Sequence, residues 1–114
     1  MDLSVSTRTV DADVVVEVSG EIDVSSSQEL RERLVGIADD DGLRLIIDLD
    51  GVHFIDSTGL GVLVGVLKRM RAQDGSLALV CSDGGVLRVL EMTGLTKVFF
   101  IHPSVAAATG GAPV

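Results

Sequence analysis

Tryptophan and tyrosine are absent from this chain and phenylalanine occurs only three times, so any core must be built from aliphatic side chains. Hydrophobic residues nevertheless fill 46% of the 114 positions, enough for one domain with a single core and no disulfide or metal staple. Basic residues are scarce as well: nine Lys and Arg stand against seventeen Asp and Glu, for a net charge of −8. Nucleic acid and anionic membrane surfaces are bound through clustered Lys and Arg, so this balance argues against both. It suits solubility and a basic protein partner. The single cysteine, Cys81, has no second cysteine to pair with, which fits a reducing compartment, and its apolar surroundings suit buried filler better than a reactive thiol. No apolar run is long enough to span a bilayer and no basic-then-apolar leader is visible, so a cytoplasmic protein is expected.

Alternation of apolar and polar residues from Leu3 to Val10, a turn at Asp11-Ala12-Asp13, and renewed alternation at Val14, Val16 and Val18 predict an opening β-hairpin. Gly20-Glu21-Ile22-Asp23 follows. Ser26 and Glu29 match a capping box for a first helix with Leu30, Leu34, Ile37 and Ala38 on one face, ending at Asp39-Asp40-Asp41-Gly42. The nearly continuous aliphatic run from Leu43 to Leu49 predicts a strand covered on both faces, with a turn expected at Asp50-Gly51. A second helix is expected from about Thr58 to Gln73 and a further strand from Leu77 to Cys81. A short third helix should be capped by Ser82-Asp83 and closed by Gly94. Val98 to Ile101 reads as a last strand, and Pro103 as part of the first turn of a final helix. The order ββαβαβαβα predicts an α/β domain over residues 1–108, its mixed, mostly parallel sheet covered by helices, with a frayed tail over 109–114.

The chemistry concentrates where Val52-His53-Phe54-Ile55 runs into Asp56-Ser57-Thr58 and the helical spacing of Leu60, Leu63, Val64, Leu67 and Met70 begins. Three polar side chains thus sit at a helix N-terminus, beside backbone N–H groups with no partner inside the helix. On helix physics alone Ser57 reads as an N-cap, although a hydroxyl there is also a modification site. Gly59, Gly61 and Gly65 weaken the helix start by about 1 kcal/mol each relative to alanine. Either close packing on the sheet or the approach of a partner's backbone would account for them. Val62 and Val66, off the main stripe, suit a docking surface, or burial against the sheet. Gly59-Leu60-Gly61 with Gly65, after a strand-like run and with Asp83 beyond the next strand, looks like a dinucleotide fingerprint. Its sixth position is Val64, however, and Asp56 sets a carboxylate where a pyrophosphate would lie. His53 and His102 lie far apart with no ligand at metal spacing, so no metal is expected, and no catalytic constellation is legible.

Phe54-Ile55-Asp56-Ser57-Thr58-Gly59-Leu60-Gly61 resembles the phosphorylation-site signature of bacterial anti-sigma factor antagonists, a STAS-domain family. The resemblance runs from near residue 1 to about residue 108 and includes Gly20-Glu21-Ile22-Asp23 and Met92-Thr93-Gly94-Leu95. The chain looks most like the actinobacterial members. The resemblance implies a single STAS domain that is not an enzyme. It implies that Ser57 is phosphorylated by an anti-sigma factor that is also a serine kinase, and that a metal-dependent phosphatase removes the phosphate. ATP then belongs to the kinase, and no cofactor is expected on this chain. Glu21, Asp23, Asp56, Ser57, Thr58, Gly59 and Gly61 become the expected partner-binding residues, with Asp23 equally able to cap the first helix. A free monomer is the default expectation. Other readings are a STAS module of a stressosome or transporter, disfavoured by the lack of an attached sensor or membrane segment, and a small-molecule or nucleotide-binding module.

Overall fold

The computed structural model describes residues 2–82 and 84–109. Its elements run β1 (Ser4–Val10), β2 (Asp13–Ile22), α1 (Ser27–Ile37), β3 (Arg44–Ile55), α2 (Ser57–Ala72), β4 (Ser76–Val80), α3 (Gly85–Met92), a 3-10 turn (Leu95–Lys97), β5 (Phe100–His102) and α4 (Val105–Ala108). The expected ββαβαβαβα order is therefore present. The five strands lie in the sheet in chain order, β1 antiparallel to β2 and every later pair parallel. Because the parallel strands advance steadily in one direction, crossovers of one hand bring the intervening helices to the same face.

Strand parity then sorts the core. Val16, Val18, Leu45, Ile47, Leu77 and Leu79 face α1, α2 and α3, where Leu30, Leu34, Leu63, Leu67, Met70, Val86 and Leu90 close the main core. Val15, Ile46 and Val80 point to the other face and pack with Ala108 of α4. The reading of the Leu43 run as a doubly covered strand follows from this arrangement. Cys81 is buried, and among the described residues no helix is long and apolar enough to cross a membrane.

Several local expectations are corrected. No turn forms at Asp50-Gly51; β3 continues to Ile55, and the irregularity falls instead in its pairing with β2, around Glu17–Ser19 and Gly20–Glu21. Gly51 permits this, because a Cβ there would lie 2.8 Å from the Ser19 Cβ. The Asp50 carboxylate is drawn to Ser82, accepting from its amide at 2.9 Å and its hydroxyl at 3.1 Å. Ser82 is thereby occupied and does not cap α3, which begins after Gly84; Asp83 lies outside the described residues.

Pro103 precedes the first turn of α4, and the adjacent Ser104 caps it by accepting from the Ala107 amide at 3.1 Å. Gly94 does close α3, in the left-handed conformation at φ 78°. Thr109, placed in the tail from sequence, is buried, with its hydroxyl donating to the Val105 carbonyl at 2.9 Å. Residues 110–114 lie outside the described residues.

Candidate functional site

Parallel strands deliver their carboxyl ends to one edge, and here β2 and β3 end side by side, with Glu21 opposite Phe54 and Ile22 opposite Ile55. Each strand then runs into an aspartate, Asp23 or Asp56. The two aspartates belong to one surface: the Asp56 amide donates to the Ile22 carbonyl at 3.1 Å, and the Asp23 charge acts on the Asp56 carboxyl. The ends of β2 and β3 thus set Glu21, Asp23, Asp56, Ser57 and Thr58 along one edge of the sheet.

The N-cap of α2 is Asp56, not Ser57. Its Oδ1 accepts from the Thr58 amide at 3.0 Å, the Gly59 amide at 3.2 Å and the Thr58 hydroxyl. A carboxylate one residue ahead captures the orphan donors before the serine can. Ser57 becomes the first residue of the helix, exposed, and among the described residues its hydroxyl has no hydrogen-bond partner. The Thr58 hydroxyl first, helped by the two amides, holds the Asp56 carboxyl below its ordinary value, against desolvation and the Asp23 charge.

Asp23 does the same work one strand away. Its carboxylate accepts from the Ser25 hydroxyl at 2.6 Å, the Ser25 amide at 2.9 Å and the Ser26 amide at 3.2 Å, tightening the turn that leads into α1. The Ser25 hydroxyl is the main reason its carboxyl is lowered. Ser26 precedes α1, but the capping box does not form. Its hydroxyl turns back, donating to the Glu21 carbonyl at 2.8 Å and accepting from the Asp23 amide at 3.0 Å.

The glycines divide by role. A Cβ on Gly59 would come within 2.5 Å of the Ile22 side chain and 2.8 Å of the Ile55 side chain, so this glycine sets how closely α2 seats on the sheet. Gly61 and Gly65 are exposed and a Cβ at either would meet nothing within 4 Å. Packing explains the first and not the other two. Val66 is buried at 2% exposure and belongs to the core, whereas Val62 is half-buried and borders the cleft between α1 and α2. Both lie on the side of α2 turned toward Arg31 and Val35 of α1, so the neighbouring helix widens the covered arc beyond the stripe through Leu60 and Val64.

Two residues near the site were missed from sequence. Val24 is 76% exposed, directly after Asp23, and Phe54 is 49% exposed, two residues before Asp56. Large apolar side chains held in water beside a polar cluster suit protein contact. The available signal was Val24 standing alone between Asp23 and three serines; Phe54 shares the strand parity of the buried Val52, and its exposure follows from the shift in pairing between Gly20 and Glu21. Among the described residues no group of three or more His, Cys, Asp or Glu side chains is placed to hold a metal ion.

Residues 4–108 match the STAS domain. The chain is 41% identical to the anti-sigma-B factor antagonist of Bacillus subtilis, over 97% of this chain and 98% of that one. It is 34% identical to the anti-sigma-B factor antagonist of Staphylococcus aureus, over 90% and 94%. The crystal structure of an anti-sigma factor antagonist from Mycobacterium paratuberculosis superposes with a TM-score of 0.86 at 29% identity, covering 94% of this chain and 91% of that one. With the fold and the Asp56-Ser57-Thr58 helix start in place, these likenesses make the chain a member of the STAS-domain family, within its anti-sigma factor antagonists.

Proposed function

We propose that this protein is an anti-sigma factor antagonist switched at Ser57. Bare, it holds an anti-sigma factor that is also a serine kinase, and so frees the sigma factor. Phosphorylated by that kinase it lets go, and a metal-dependent serine phosphatase resets it. The chain supplies the phosphoacceptor and the contact surface; ATP and catalysis belong to the partner. The observation that carries this reading is the Ser57 hydroxyl, exposed and without a hydrogen-bond partner among the described residues because Asp56 has taken the capping role.

The magnitudes favour release over refolding. Phosphorylation adds about −1.5 to −2 charges. A helix N-terminus favours an anion by about 0.3–1 kcal/mol, but the Thr58 and Gly59 amides already serve Asp56, so little of that benefit is left for the phosphate. Asp56 and Asp23 add repulsion at the same edge. Closing an interface over such a dianion without a paired cation costs several kcal/mol. A loss of about 3–4 kcal/mol weakens binding by roughly two to three orders of magnitude.

The test is phosphorylation and binding with the purified anti-sigma factor of the same organism. With ATP, phosphate should appear on Ser57 and not in Ser57→Ala, and the phosphorylated protein should dissociate while its backbone amide spectrum changes only near residues 21–24 and 54–60. Phosphate on another residue, or equal affinity before and after modification, overturns the switch.

A further inference from the structure

Gly61 and Gly65 are unexplained by packing, and they open a groove. Between α1 and α2 lies a cleft of about 280 Å³ whose walls include Arg31 and Val35 on α1 and Thr58, Gly61, Gly65 and Arg69 on α2. It starts at Thr58, next to Ser57, and runs down the outer side of the two helices. It stays open because neither glycine carries a side chain and nothing else fills the space. The floor is apolar, from Val35 and Val62, both half-buried.

Its charge is opposite to that of the chain. Across sixteen residues α2 carries Lys68, Arg69 and Arg71 and no acidic side chain, inside a protein of net charge −8. Arg31 faces α2 across the cleft. Arg69 reaches the exposed Asp39 at 3.4 Å, whereas Arg31 has no ion pair among the described residues. An apolar floor between two arginines, kept low by Gly61 and Gly65, matches an amphipathic helix with small residues on its inner face and carboxylates at its edges. Lowering the ridge on α2 lets the axis of such a helix come close.

We propose that this groove seats an acidic amphipathic helix of the anti-sigma factor, which passes the Ser57 corner and lies along Gly61 and Gly65 with its carboxylates on Arg31 and Arg69. The proposal rests on the antagonist reading and extends it: the acidic edge at Glu21, Asp23 and Asp56 meets a basic part of the partner, and the groove meets an acidic one. Two patches of opposite sign fix the partner's orientation and bring its kinase centre to Ser57.

The experiment is calorimetric titration of the purified anti-sigma factor of the same organism with wild type, Gly65→Leu, Arg31→Glu, Lys68→Glu and Ser57→Asp. Gly65→Leu, placed in open space, should keep its circular dichroism and weaken binding at least about tenfold. Arg31→Glu should weaken it about tenfold and flatten its salt dependence, with Lys68→Glu, outside the groove, changing it less than about threefold. If Gly65→Leu and Arg31→Glu both bind within about twofold of wild type and Ser57→Asp still fails to bind, the groove is idle and only the antagonist reading stands. Should Gly65→Leu misfold, Arg31→Glu decides alone by the same criterion. If wild type does not bind the anti-sigma factor, both proposals fall. Sedimentation of the variants without partner supplies the last arm: a dimer that Gly65→Leu turns into a monomer would make the occupant a second copy of this chain, overturning the partner helix.

Discussion

The starts of α1 and α2 are two versions of one device. In each, a parallel strand ends at an aspartate whose carboxylate accepts from the amides two and three residues on and from the hydroxyl two residues on: Ser25 and Ser26 for Asp23, Thr58 and Gly59 for Asp56. The residue directly after the aspartate is left out of the network and faces solvent. At α1 that residue is Val24, and at α2 it is Ser57. The same local physics therefore presents an apolar side chain at one corner and a phosphorylatable hydroxyl at its neighbour. The two also differ three residues past the aspartate. Ser26 ties back to the Glu21 carbonyl, whereas Gly59 lets α2 press onto Ile22 and Ile55.

The outward pair gives the largest expected effect. Ser57→Asp should lower affinity for the anti-sigma factor by roughly two orders of magnitude and leave the thermal midpoint nearly unchanged, as read by calorimetry and circular dichroism. Equal affinity would make Ser57 as ordinary as any exposed helix-start residue.

Next comes the inward pair. Gly59→Ala forces a methyl to within 2.5 Å of Ile22 and should cost about 1–3 kcal/mol in urea unfolding. Gly61→Ala, in open space, should gain up to about 1 kcal/mol. Similar behaviour of both variants would mean that Gly59 does not set the helix seat.

Val24→Ala tests whether the apolar corner belongs to the same contact surface. It should weaken partner binding by about 1 kcal/mol, a several-fold change in Kd, without altering stability. No change would confine the interface to the α2 side.

The smallest effect is on pH dependence. Both carboxyls are lowered in the folded protein, chiefly by the Ser25 hydroxyl for Asp23 and the Thr58 hydroxyl for Asp56. Their contribution is therefore fully present above the unfolded carboxylate pKa of about 3.9 and is lost as pH falls through the lower folded values. Asp56→Asn should unfold at lower urea than wild type at neutral pH and show a shallower loss on acidification. Asp23→Asn should do likewise, and a flat difference across that range would show that the hydrogen bonds do not bias the titration.

Much of this was legible because short-range rules govern it. The Val14/Val16/Val18 alternation, the Leu43–Leu49 run and the Leu30/Leu34 spacing report burial directly, and the strand–helix alternation limits the topology. The Asp56-Ser57-Thr58 junction was visible for the same reason. The identity of the cap was not: Asp56, Ser57 and Thr58 are all capable N-caps, and only the backbone conformation at the end of β3 decides which carboxylate or hydroxyl faces the amides. Asp50-Gly51 failed as a turn because turn propensity is weaker than pairing with β2, which runs past it.

By itself, then, the sequence determined the element order, the aliphatic two-sided sheet and the position of the serine at a helix start, since each follows from periodicity or local hydrogen-bonding chemistry. Tertiary structure alone decided what lies between elements: that Asp23 and Asp56 share one edge, that Val66 is buried while Phe54 is exposed, and that Gly59 packs while Gly61 and Gly65 border an open groove facing Arg31. Those are distances between segments far apart in the chain, set by strand pairing and helix packing, and no local pattern encodes them.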